Sequence, residues 1–137
     1  MIRSFRIPTF FFKIETTEHN NQSNTVVDFH MKFKRIVIHV SFLWVDAMAL
    51  FPFILLRRKS PSTKLINHEC IHLRQQLEMG LLPFYIWYFV EYLIRLVQFR
   101  KHYLAYLHIS FEQEAYRNED DLEYLETRRF WAFLRYM

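Results

Sequence analysis

Glycine is almost missing from this chain. Gly80 is the only one in 137 residues. So little glycine argues against a fold of many tight turns and for helices joined by short connections. Cysteine is equally scarce. The lone Cys70 excludes an internal disulfide and suits a reducing compartment, so a cytoplasmic location is expected. A large charge surplus is absent too: 18 basic and 14 acidic residues leave a net charge of +4, too little for a dedicated nucleic-acid binder. The opening "MIRSFRIPTFFFK" lacks both the sustained apolar core and the small-residue cleavage site of a secretory signal. No internal repeat is visible. What is abundant is apolar surface, 52% of residues hydrophobic and 19% aromatic, enough for one domain to bury a core without staples.

Polar residues 14–25, "IETTEHNNQSNT", read as a flexible linker. Residues 1–30 are therefore expected to be an appendage and 31–137 the compact domain. Met31 is a second candidate start, because "MKFKRIVIHV" looks like the opening of a domain. The expected fold is α+β and predominantly helical. A small sheet or β-hairpin over about residues 34–57 is rich in Ile, Val, Phe and Trp. It should bend near residues 46–49, with Pro52 at an edge or bulge. Ser60 or Ser62 can cap a helix over 62–79 that stops at Gly80. A second helix, 83–100, is apolar nearly all round and so expected to be central, with Glu91 and Arg95 paired on one face. Two more helices are expected over 103–117 and 120–135, the last capped by "NEDD".

The stretch that carries chemistry is "NHECIHLRQQLE", residues 67–78. His68 and His72 are four apart, so on a helix they share one face and can both reach one zinc ion. Glu69 is rotated by about 100 degrees, out of the ligand set but beside a water on the metal. Zinc lowers the pKa of such a water to about 7, and a neighbouring carboxylate can take its proton. With seven histidines and ten glutamates, chance yields this pattern in roughly one such chain in forty. A third ligand is therefore needed. Glu112 and Glu114 in "SFEQEAYRNE" both qualify, and they point about 200 degrees apart, so one zinc takes only one of them. Glu112 shares a helix face with Ala115, which allows close helix approach, and with Tyr116, which brings a hydroxyl.

These residues resemble the gluzincin type of zincin-like metallopeptidases, which pair a helical His-Glu-x-x-His with a glutamate from a later helix. "EQEAY" is similar to that family's Glu-x-x-Ala-acid pattern and puts Glu112 in the ligand place. It departs at Tyr116, where an acid that orients a ligating histidine normally stands. The run "HECIHLRQQ" and the region from Met31 onward also resemble short metallopeptidase-like proteins of bacteria. The resemblance implies a zincin-like fold, His68, His72 and Glu112 as zinc ligands, and Glu69 as general base. It also implies a peptide or protein substrate added as a strand to a sheet edge, for which "AMALFPFILL" is the candidate. An oxyanion stabiliser is needed as well. Tyr116, Tyr103, His108 and Arg117 are all candidates, and Tyr116 is the one carried forward.

Plainer readings stand beside these. Gln75 and Gln76 are as well explained by ordinary helix polarity as by contact with ligands or substrate, Cys70 as a small buried residue, and His39, His102 and His108 as structural. The whole can be a zincin-like metal- or peptide-binding module without turnover. It can also be a membrane-associated interaction protein with a chance motif. Residues 36–56 and 81–99 are each about as long as a bilayer span, but their charges make insertion costly and the less favoured reading.

Overall fold

The computed structural model describes residues 36–137; the expectations for the appendage and for the start at Met31 lie outside them. Three four-residue strands, β1 (Ile36–His39), β2 (Ala47–Leu50) and β3 (Phe53–Leu56), form a mixed sheet in the order β1-β3-β2. β1 runs parallel to β3 with Ile36 opposite Phe53, and β2 runs antiparallel to β3 with Leu50 opposite Phe53. The expected bend near residues 46–49 is corrected. The chain reverses at Phe51-Pro52, through a cis peptide, because proline has no N–H to give a ladder and its ring presets a turn. Asp46 instead closes the loop after β1, accepting from the Arg57 backbone at 3.0 Å and from its guanidinium at 2.5 Å.

The remainder is mostly helical, so the α+β class holds. Helix α1 (Thr63–Met79) starts as its sequence dictates: Ser62 Oγ accepts from Leu65 N–H at 3.1 Å. It stops at Gly80, whose φ of +81° is strained for any side chain. There the chain turns by 111° into α2 (Leu81–Phe99). Helices α3 (His102–Leu107) and α4 (Ser110–Asn118), the short α5 (Tyr124–Thr127) and a 3₁₀ turn (Ala132–Tyr136) follow.

Three helical expectations need correction, each for a tertiary reason. The single helix over 103–117 is two helices. Ile109 is extended, and the Glu91 carboxylate of α2 caps the new start, accepting from Ser110 N–H at 2.9 Å and Ser110 Oγ–H at 2.6 Å. The helix over 120–135 is broken at Arg128, whose ψ of 124° leaves the helical region and whose side chain turns inward, and at Trp131, whose φ is +56°. The helix expected to be central, α2, buries only Phe84 and Glu91, and its far side carries exposed apolar residues such as Leu82, Phe89 and Val97.

Two apolar cores flank α1. Ala49, Ile54 and Leu56 of the sheet meet Cys70 and Leu73 of α1. On the other side, Phe84, Ile109, Phe111 and Phe133 form an aromatic core with Trp87, Tyr88 and Tyr92 around it. Between them lies a belt of buried polar side chains, and this belt contains the site.

Candidate metal centre

His68 and His72 stand one turn apart on α1, and α4 packs Glu112 against them, with the fully buried Ala115 on the same helix. His68 Nε2 is 3.1 Å from His72 Nε2. Glu112 offers one carboxylate oxygen to each ring, Oε2 at 3.5 Å from His68 Nε2 and Oε1 at 3.4 Å from His72 Nε2. All three residues are buried, and their ligand atoms lie within 4.8 Å of one another. Zinc bonds of about 2.0–2.1 Å in a tetrahedral arrangement put ligand atoms about 3.3–3.4 Å apart. The observed separations fall around that value.

The hydrogen bonds behind the ligands determine where the protons are. Gln75 Nε2 faces two pure acceptors, Phe111 C=O and Glu114 Oε2, both at 3.1 Å. The amide orientation is thereby set, and Gln75 Oε1 must accept from His72 Nδ1–H at 2.8 Å. His68 Nδ1 likewise donates to Glu119 Oε2 at 2.7 Å. Each neutral ring then turns an Nε2 lone pair inward, toward the other ring and toward a carboxylate. Such a cluster is suited to a cation at its centre. Among the described residues, Glu112 Oε2 also has no hydrogen-bond partner although it is buried. A buried His-His-Glu group of this geometry can hold a metal ion.

Without the metal, a proton takes part of that role. Burial disfavours the His72 imidazolium, yet the Glu112 carboxylate outweighs burial and holds His72 up to about 9. Burial likewise opposes ionisation of Glu112, but His72 and His68 beside it hold its carboxyl well below the usual range. Tyr88 Oη–H donates to Glu112 Oε1 at 2.8 Å, and burial, reinforced by that carboxylate, keeps the phenol protonated as a donor.

Glu69 is buried beside this cluster. Desolvation raises its pKa above the ordinary carboxylate range, while His72, His68 and the Ala49 backbone N–H pull the other way. The Ala49 contact places the edge strand β2 against Glu69. β2 is the outer strand and β3 the central one, so the expected edge "AMALFPFILL" narrows to Ala47–Leu50. Gln76 and Tyr85 hold the Ala49 carbonyl at 3.0 and 3.2 Å, and Gln76 Oε1 accepts from Phe51 N–H at 2.8 Å.

The competing carboxylate, Glu114, turns away from the histidines. It accepts from Tyr124 Oη–H at 2.9 Å and is clamped by Arg128 at 2.5 and 3.2 Å. Tyr116 lies with its ring edge on His68, centroids 4.7 Å apart, and its hydroxyl is 3.5 Å from that of Tyr106. The other oxyanion candidates are engaged elsewhere or turned outward. Tyr103 is exposed, His108 holds the Leu104 carbonyl, and Arg117 lies over Tyr136 and donates to Gln113.

Two residues that serve the site escaped the sequence reading. Glu119 supplies the acid missing at Tyr116. Its signal was its spacing, seven residues after Glu112 and so two helical turns along the same face. Tyr88 had no local signal, because α2 reaches Glu112 only through the fold. Comparison with known proteins adds nothing to this geometry: no family model, no curated protein and no solved structure matches the chain.

Proposed function

We propose that this protein is a zinc-dependent peptide hydrolase with a zincin-like arrangement, in which His68, His72 and Glu112 hold the metal. The observation that carries the reading is the pair of inward lone pairs, set by Gln75 and Glu119, facing the Glu112 carboxylate with Glu69 buried alongside. Two imidazoles and a carboxylate are the donor set of catalytic zinc, which needs three protein ligands and an open position. Bound there, zinc supplies Lewis acidity toward a water and a substrate carbonyl. Glu69 takes the proton of the attacking water and passes it to the leaving amine. Tyr88 keeps Glu112 in place, and Tyr116 is the candidate donor to the developing oxyanion. A peptide would add along the β2 edge beside Glu69. The Ala49 carbonyl is already taken, which directs addition toward the Ala47 end.

Metal analysis of the untagged chain, with an assay on an unstructured protein substrate, tests this. We expect about one zinc per chain, lost in His72→Ala and Glu112→Ala. Glu69→Gln should keep the metal and lose hydrolysis. Zinc bound without any turnover would leave a metal- or peptide-binding module. Turnover indifferent to Glu69→Gln would remove the glutamate from the mechanism.

A further inference from the structure

Helix α2 is built the wrong way round for a helix on a water-exposed surface. Apart from the exposed Gln98 near its C-terminal end, its polar groups face the protein: Glu91 caps α4, Arg95 pairs with Glu91 at 3.4 Å, and the Tyr88 hydroxyl reaches Glu112. Its outward face is apolar from Leu82 to Val97. Leu82, Ile86, Phe89, Leu93, Ile94 and Val97 recur at helical spacing over about 22 Å of the helix, with Val97 78% and Leu82 71% exposed. Single exposed apolar residues are ordinary, but a continuous stripe marks a contact surface. Polar groups turned to protein and apolar groups turned out is the pattern of helices that face hydrocarbon.

The charges around the stripe decide what covers it. Over residues 81–107 the only acid is Glu91, which is buried, whereas Arg100 and Lys101 are exposed where the stripe ends. Of the acids in residues 119–126, Glu119 and Asp120 meet Lys64, near the N-terminus of α1. That is a helix length of about 25 Å from where α2 begins. Among the described residues, no single helix is long and apolar enough to cross a membrane. A stripe on a helix that does not span by itself, ended by two bases and with its one acid turned inward, fits a helix lying in the headgroup layer. We propose that the protein docks on an anionic lipid surface through the outer face of α2, with Arg100 and Lys101 on the headgroups.

The test is co-sedimentation of the full chain with vesicles of phosphatidylcholine alone or mixed with phosphatidylglycerol. Expected is binding to the mixed vesicles that weakens with added salt and is much poorer on phosphatidylcholine. The double variant Leu82→Gln/Val97→Gln should weaken binding by more than about tenfold, through lost apolar burial. Arg100→Gln/Lys101→Gln should weaken it by about 25-fold, two surface charges being removed. Circular dichroism of both variants should match the parent, since all four side chains are exposed. Absence of binding by the parent chain would overturn the proposal. So would binding that ignores both double variants. A parent dimer that Leu82→Gln/Val97→Gln converts to monomer, without vesicle binding, would assign the face to a second copy instead. None of these outcomes depends on the zinc reading, which metal content tests separately.

Discussion

Helices α1 and α2 follow one another across Gly80 and invert each other's logic. α1 is the more polar of the two, yet it buries Asn67, His68, Glu69, His72, Gln75 and Gln76. α2 is far more apolar than α1 and leaves much of its surface bare. Burial here follows partners, not hydropathy. Each buried polar group of α1 has a named mate: Asn67 Nδ2–H reaches the Asp121 carbonyl at 2.9 Å, Gln75 links His72 to Glu114, and Gln76 holds the sheet. An unpaired polar group in the same place would cost about 1–3 kcal/mol. Among the described residues α2 has no such mates on its outer side, and the apolar residues there stay exposed.

That contrast can be broken most severely at Arg128. Its buried guanidinium joins Glu114 and Glu78 beneath α1. Arg128→Met should destabilise the fold by about 3–5 kcal/mol, because the buried Glu114 loses its counter-charge and Glu78 is left with the exposed Arg74. Urea unfolding measures this, and a loss below 1 kcal/mol would mean the pair is dispensable. Next comes the metal. With zinc at about a thousandfold excess over Kd, unfolding should require about 4 kcal/mol more than in the metal-free chain. His72→Ala should show no such increment.

The pH dependence has opposite signs in the two states. Without metal, the His72 proton is held up to about 9 against 6.5 for the free side chain. The stability it contributes is complete below pH 6.5 and is lost as pH rises through about 9. Zinc must displace that proton, so its affinity should climb about tenfold per pH unit from 7 to 9 and then level off. Zinc titration in a metal-buffered series reads the slope, and a flat profile would contradict it. A smaller effect is expected behind the ligands: Glu119→Gln should weaken zinc binding by about 10–100-fold, with the fold intact. Smallest is the outer face of α2, where Leu82→Gln/Val97→Gln should shift the unfolding free energy by no more than about 0.5 kcal/mol. A large loss there would mean that the face is covered within the chain.

The comparison also shows where the sequence was legible. The start of α1 at Ser62, its end at Gly80 and the shared face of His68 and His72 are local facts, set by capping, by a positive φ and by 3.6-residue periodicity. The face shared by Glu112 and Ala115 was local in the same way. The break at Ile109 was invisible because its cause, Glu91, sits 19 positions earlier in sequence. The kink at Arg128 follows from Glu78, 50 positions away. The acid for His68 was sought at Tyr116 and comes from Glu119, 51 positions after the histidine.

By itself, then, the sequence determined an α+β chain of few turns, a helix with two histidines on one face, and the candidate partners of that pair. Those follow from rules that act over four or five residues. Tertiary structure alone decided between Glu112 and Glu114, because their opposite directions on one helix mean nothing until α1 and Arg128 occupy the two sides. It also decided that the apolar α2 lies at the surface. Hydropathy measures what a segment can bury, and only packing determines which of its faces is buried.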